Sequence, residues 1–324
     1  MKIPLSPHAL GATLYMPATR RDIAATILAN KIPGLRSLVI CLEDAVADQD
    51  VDDALANLRV VLAELTRAKQ QPQPMNVENE PALWPLIFIR PRHKQMGRQL
   101  VRHFDLSVVD GFVLPKFTQA SLAGWWTILA ETPLYWMPTL ETEEVFDVHQ
   151  MQALAAALES HPCRARILAL RIGGNDLMNV ISLRRSRQFT LYDSPMGYVI
   201  KMLVAVFGAK NFALTAPVCE HIDDHQLLDK ELQLDLSHGL VGKTAIHPGQ
   251  IEKIHQALMV SQSDHEDALK ILNSNQAVFK NQGAMCEPAT HKRWAISILA
   301  RAIHYGIAPV LPGMDAGTKR QQQG

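Results

Sequence analysis

Eight short apolar segments alternate with helix-length segments over about 250 residues, and this alternation predicts an α/β chain closed into a (β/α)8 TIM barrel. Alternation of this kind means right-handed βαβ crossovers and a parallel sheet, and eight repeats suit a closed barrel better than an open doubly wound sheet. A change of pattern after Leu258 adds a C-terminal helical extension, or lid.

The first predicted strand is 13–16, followed by a helix at 22–30; the second is 37–42, with a helix at 51–69. Strands at 86–89, 111–114 and 134–137 alternate with helices at 94–104, 118–129 and 142–159. Strands at 167–170, 212–214 and 239–241 alternate with helices at 195–208, 223–236 and 248–258. Each strand is short, apolar and rich in branched or aromatic side chains, as a strand buried on both faces should be. Two further helices, 264–273 and 290–305, flank residues 279–288. The expected organisation is a barrel domain over 1–260, a lid over 261–310 and a disordered tail over 311–324. The Gln/Pro-rich stretch 70–80 reads as a solvated insertion, disordered in part, on the barrel face opposite the expected site.

Lys+Arg 32 balances Asp+Glu 32, which argues against a dedicated nucleic-acid or other polyanion binder. At 48% hydrophobic and 20% charged, the chain can fill a large core, so disordered and fibrous classes drop out. Its longest apolar runs fall far short of the roughly 18 to 20 residues of a membrane helix. The start, Met1 to Leu5, has one basic residue and no apolar export region, and the four cysteines lack disulfide or metal spacing. Both features lead to an expected cytoplasmic location.

Catalytic groups of such barrels come from the carboxyl ends of strands, and polar residues gather there. Strand two ends in Glu43-Asp44, strand three in Arg90, strand four in Lys116, strand five in Glu141, and strand six runs into Gly173-Gly174-Asn175-Asp176. Any single acid after a strand can equally be a helix cap. Glu141 and Asp176, 35 residues apart, put two carboxylates on adjacent strand ends, where they repel unless a divalent cation joins them. Two carboxylates with positions left for water and substrate suit Mg2+, whereas the 13 histidines show no paired zinc spacing. Gly173 and Gly174 could bring backbone N–H groups to a substrate carboxylate, or simply form a tight turn; on spacing alone, metal site and turn are even. Arg90, fixed in an extended chain by Pro91, offers a fork suited to a carboxylate or carbonyl oxygen, and an ion pair with Glu43 is compatible with that use. The cluster Arg184-Arg185-Ser186-Arg187 reads as a solvated loop rather than a phosphate site, and His247 either faces the pocket or bonds the backbone.

Taken together these segments resemble the HpcH/HpaI aldolase and citrate lyase β-subunit superfamily of metal-dependent carbon–carbon lyases. The similarity rests on Leu14 to Pro17, Leu42 to Val46 (LEDAV), Ile89-Arg90 and Val113 to Lys116 (VLPK), and continues through Leu140 to Thr142, Gly173 to Leu177 (GGNDL) and Lys243 to Ile251 (KTAIHPGQI). The resemblance implies Mg2+, or Mn2+ in its place, on Glu141 and Asp176, with Arg90 binding an oxo-acid or acyl substrate. It also implies Glu43 and Asp44 as partners of metal-bound water and of the arginine. Members acting on acyl-CoA carry an aspartate before a proline that reaches a neighbouring subunit's site; Glu287 before Pro288 is the comparable carboxylate here, one methylene longer. The long segment Thr190 to Gly197 resembles a divergent branch, the predicted C–C bond lyases encoded beside tellurite-resistance and stress genes. For that branch a CoA thioester is a possible substrate and not an assumed one.

The expected activity is a Mg2+-dependent lyase that makes or breaks a carbon–carbon bond beside a carboxylate or thioester through an enolate. Glu287 is the first candidate for proton transfer and Lys116 the next, while Arg20 is a candidate for extending the pocket. The shared-site argument predicts a homo-oligomer, a trimer or hexamer. A pyruvate-enolate aldolase is a related reading; a non-catalytic small-acid sensor or regulatory protein on the same barrel is the reading from another class.

Overall fold

A computed structural model of the chain describes residues 5–71, 84–281 and 284–309. Most of the 70–80 insertion and the whole 311–324 tail lie outside these residues. Two compact units make up the chain, Met1–Ile254 and His255–Gly324.

The first unit is a TIM barrel. Its strands are β1 (Gly11–Pro17), β2 (Ser37–Cys41), β3 (Leu86–Arg90), β4 (Gly111–Leu114), β5 (Tyr135–Leu140), β6 (Leu170–Ile172), β7 (Leu214–Thr215) and β8 (Gly242–Ala245). All are parallel and pair in the order β7-β6-β5-β4-β3-β2-β1-β8. The remaining seam is closed by a parallel bridge between Ala216 and Lys243, where Ala216 N donates to Gly242 O at 2.7 Å and Thr244 N to Ala216 O at 3.2 Å.

Around the strands run α1 (Ile23–Leu28), α2 (Val51–Lys69), α3 (Lys94–His103), α4 (Leu122–Leu129), α5 (Val148–Ser160), α6 (Gly174–Val180), α7 (Pro195–Gly208), α8 (His225–Ser237) and α9 (Ile251–Leu258). Several starts are fixed by side chains that accept an orphan N–H of the first turn. Asp147 takes His149 N at 2.9 Å, Asp224 takes Leu227 N at 2.9 Å, and Ser194 takes Met196 N at 3.2 Å with Pro195 in the first helical position. The short α6, not expected from the sequence, begins at the glycine pair itself.

Strand side chains alternate between the barrel interior and the helices. Val39, Phe88, Val113 and Met137 pack inside with Leu10, Leu168 and Ala169, and Tyr15 and Tyr135 lean on this apolar plug. The next inward positions towards the carboxyl ends are polar: Arg90 pairs in register with Cys41, and Arg171 with both Thr139 and Thr215. The mouth of the barrel is thereby built above an apolar plug.

Three strands lie later than the apolar runs suggest. Strand six was expected at 167–170, seven at 212–214 and eight at 239–241, but they occupy Leu170–Ile172, Leu214–Thr215 and Gly242–Ala245. In β8 the outward Lys243 is buried against α8, its Nζ 2.8 Å from Asp235 and 3.4 Å from Glu231. Pairing partners, and not apolarity, set where these strands run.

In the second unit α10 (Gln262–Asn273) and α11 (Pro288–Tyr305) pack through Ala268, Ile271, Ala295 and Ile298, joined by Val260. Between them β9 (Phe279–Asn281) and β10 (Ala284–Cys286) pair antiparallel where no strand was expected. Among the described residues no helix is long and apolar enough to cross a membrane.

Candidate active site

The hub of the barrel mouth is Arg90, the last residue of β3. Its Nη2 meets the Glu43 carboxylate, lies 3.1 Å from Glu141 Oε1 and 3.2 Å from Glu141 Oε2, and is 3.2 Å from Asp44 Oδ2. Glu43 and Glu141 are 4% and 2% exposed, whereas the Asp44 side chain is largely open to solvent. Lys116 turns out of β4 in the left-handed region, at φ 47°, which aims both of its donors at the same acids. Its backbone N–H donates to Glu141 Oε1 at 2.7 Å and its Nζ to Glu43 Oε1 at 3.0 Å.

Asp176 stands in the first turn of α6, close enough to Glu141 for its charge to raise that carboxyl. The glycine before it is required by space: a Cβ on Gly173 would come within 2.4 Å of Glu141 Cβ and 2.6 Å of its Oε2. A Cβ on Gly174 would meet Pro217 Cβ at 2.8 Å. Gly173 N already donates to Leu140 O at 3.1 Å, so close packing, rather than donation to a ligand, explains this glycine.

The acids are crowded beyond what their cations neutralise. Burial pushes the Glu141 carboxyl up to about 7, with Asp176 adding to the rise and Arg90 opposing it. Burial also raises Glu43 and Asp176, and nearby Asp44 reinforces both shifts. Lys116 is raised by its hydrogen bond to Glu43. Four carboxylates facing one arginine and one lysine make a site that favours additional positive charge. Hard oxygen donors from Glu141 and Asp176 fit Mg2+, which is commonly held by one or two carboxylates with water and substrate oxygens completing the shell. A closed cage is not built here: among the described residues no group of three or more His, Cys, Asp or Glu is placed to hold a metal.

The raised Glu141 makes the stability of metal-free protein depend on pH. The folded chain keeps a proton that the unfolded chain releases from its ordinary 4.5, so this contribution is complete below 4.5 and is lost as pH rises through about 7. In EDTA the thermal midpoint is expected to fall from about pH 5 to about pH 8, and Glu141→Gln is expected to flatten that fall. An unchanged pH slope in the variant would refute the assignment.

A cavity of about 220 Å3 opens beside these residues, lined by Arg90, Glu141, Asp176, Tyr15, Thr139, Arg171 and Thr244, among others. The last four were not singled out from sequence. Arg171 carried a readable signal, a charge in the middle of a strand buried on both faces. Other expected positions have local partners. Arg20 is exposed and paired with Asp22, Nη2 to Oδ2 at 3.0 Å, and does not line the cavity. Glu287 belongs to the C-terminal unit, at the start of α11, with Thr290 Oγ1 donating to its Oε2 at 3.4 Å. His247 accepts from Gly249 N at 3.1 Å, the backbone-bonded alternative. Arg185 departs from the solvated-loop expectation: it is buried, ion-paired with Glu231, and donates to Val218 O at 2.9 Å, anchoring the long connection to α8.

A parallel barrel with an arginine-centred, acid-rich mouth at its carboxyl end is the architecture of a TIM-barrel enzyme. The chain belongs to the family described as C–C bond lyase of the TIM-barrel fold, whose model matches residues 4–307. It is 23% identical over 248 residues to a (3S)-malyl-CoA thioesterase of Cereibacter sphaeroides, covering 76% of this chain and 75% of that one. Among solved structures it is similar to a citrate lyase from Burkholderia xenovorans, with a TM-score of 0.68, 15% identity and coverage of 95% and 98% of the two chains. It is also similar to CitE from Mycobacterium tuberculosis in complex with magnesium, acetoacetate and coenzyme A, with a TM-score of 0.61, 19% identity and coverage of 90% and 97%.

Proposed function

We propose that this chain is a Mg2+-dependent carbon–carbon lyase acting on an oxo-acid or acyl-thioester by retro-aldol or Claisen-type chemistry. The observation that carries the reading is the Arg90 hub, a buried guanidinium shared by Glu43 and Glu141 beside the Glu141–Asp176 pair. The family description, and relatives named as a citrate lyase and as CitE bound to magnesium and acetoacetate, support it.

Glu141 and Asp176 would hold the Mg2+, which would supply Lewis-acid stabilisation of negative oxygen. Cleavage requires a base to take a proton from the substrate hydroxyl, the carbon–carbon electron pair to pass into an enolate, and a proton to reach the enolate carbon. Arg90 serves the middle requirement. Its Nη2 is occupied by the acids, but the guanidinium lines the cavity, so its positive charge stabilises the enolate oxygen. Glu43 and Glu141, both held on Nη2, orient the guanidinium. Lys116 Nζ, hydrogen-bonded to Glu43, and Glu287 from a second copy of the chain in a homo-oligomer are the candidates for moving the proton at carbon. A second reading, thioester hydrolysis, is favoured by the name of the malyl-CoA thioesterase relative; free acid without a cleaved carbon–carbon bond would identify it.

Calorimetric titration of Mg2+, with and without oxaloacetate or pyruvate, tests the proposal against Asp176→Ala. Mg2+ binding should tighten with the oxo-acid, weaken by about 10- to 100-fold or more in the variant, and be matched by loss of product formation. Unchanged Mg2+ affinity and turnover in Asp176→Ala would end the lyase reading.

A further inference from the structure

We infer that Arg171 forms a second anion subsite on the floor of the cavity, which takes the distal carboxylate of a short dianionic acid and so selects such acids over monocarboxylates. This inference rests on the lyase reading for what binds at the mouth. Its own support lies in a contrast among buried charges. Four arginine and lysine side chains are buried among the described residues, Arg90, Arg171, Arg185 and Lys243. Three of them face buried carboxylates: Arg90 with Glu43 and Glu141, Arg185 with Glu231, and Lys243 with Asp235. Arg171, only 2% exposed, has neutral partners alone. Its Nη2 donates to Thr244 Oγ1, its Nη1 lies 3.9 Å from Met137 Sδ, and its Cζ is 5.4 Å from the centre of the Tyr15 ring. A thioether and a ring face offset little of what it costs to remove a guanidinium from water, and an anion is the partner that would.

Neighbouring groups have the same unmet capacity. Thr139 and Thr215 flank Arg171 in register on β5 and β7, so their side chains share its inward face. The hydroxyl of each is buried without a hydrogen-bond partner. Thr139 lines the cavity with Arg171 and Thr244, and these three donor-bearing side chains, with no acid among their contacts, form a receptor for a carboxylate.

The position determines what kind of molecule carries that carboxylate. Thr139, in register with Arg171, is two residues before Glu141, so the subsite lies one inward layer, about 6.6 Å of strand, below the acids of the mouth. The cavity, about 220 Å3, is smaller than the roughly 300–1,000 Å3 of ordinary ligand sites. One short molecule therefore has to reach both ends, with an oxo or hydroxy acid group at Arg90 and a second carboxylate on Arg171. A monocarboxylate of the same head group leaves Arg171 unpaired.

The test compares oxaloacetate with pyruvate, which share the 2-oxo acid head and differ by one carboxylate, by calorimetry on the full chain in Mg2+. Wild type is expected to bind oxaloacetate more tightly. In Arg171→Met that affinity should fall roughly 10- to 100-fold while pyruvate affinity changes less than about threefold. Because the substitution removes an unpaired buried charge, the ligand-free thermal midpoint should hold or rise. Arg171→Gln gives the same comparison if the methionine variant does not fold. Wild type that does not bind oxaloacetate, equal affinities for the two acids, or an Arg171 variant that weakens both acids alike or neither overturns the subsite. Failure of the lyase reading looks different: oxaloacetate binding indifferent to Mg2+ and to Asp176→Ala, with the Arg171 discrimination intact.

Discussion

Arg90→Met is expected to lower kcat/KM by about 10²- to 10³-fold, because it removes the preorganised positive charge that stabilises the enolate oxygen. The same change leaves Glu43 and Glu141, 4% and 2% exposed, without the cation they share. Removing one partner of a buried ion pair typically costs about 3–5 kcal/mol, so metal-free variant protein should also melt well below wild type. Mg2+ should restore part of that loss by neutralising Glu141, but not the turnover. Arg90→Lys keeps the charge but replaces the planar guanidinium with a compact, strongly hydrated ammonium, and should recover stability more than activity. Steady-state kinetics beside thermal melts with and without Mg2+ check both halves. A variant within tenfold of wild-type kcat/KM would remove Arg90 from the chemistry.

Lys243→Met carries the largest expected effect outside the cavity. Lys243 lies 2.8 Å from Asp235 and 3.4 Å from Glu231, and all three are buried between β8 and α8. Tyr192 Oη donates to Asp235 at 2.6 Å, and Arg185 shares Glu231, so the cluster also ties down the connection that follows α6. Without the ammonium, Asp235 is a buried carboxylate with a tyrosine as its remaining donor. A loss of about 3–5 kcal/mol follows, or a thermal midpoint lower by roughly 6–20 °C. Adding Asp235→Leu should return part of it, since the unpaired charge and not the missing contact dominates the cost. A single variant that melts with wild type would show that the cluster does not stabilise the closing strand.

Much of the mouth was legible in sequence because a parallel barrel delivers strand ends to one face. Glu43, Asp44, Arg90, Lys116, Glu141 and Asp176 each follow an apolar run, and the fold gathers all six. Strand β4 and helices α2 and α7 have the bounds their patterns predicted, since in each the apolar period and the buried face coincide. The late strands do not. Arg171, Thr215 and Thr244 point inward, and Lys243 outward into its acid cluster, so the apolar runs before them mark burial and not pairing. Arg185, expected in solvent, is buried for a related reason: its carboxylate lies 46 residues away on α8, beyond any local signal.

By itself the sequence determined the barrel and the identities of the acids and the arginine at its mouth, because strand periodicity and βα order are local properties of the chain. Only the tertiary structure decided which acid Arg90 bonds, why Gly173 has no room for a side chain, and which buried cation is left with neutral partners. Those depend on residues from different strands meeting within a few ångströms across a water-poor interior, where pairing decides whether a charge is tolerated.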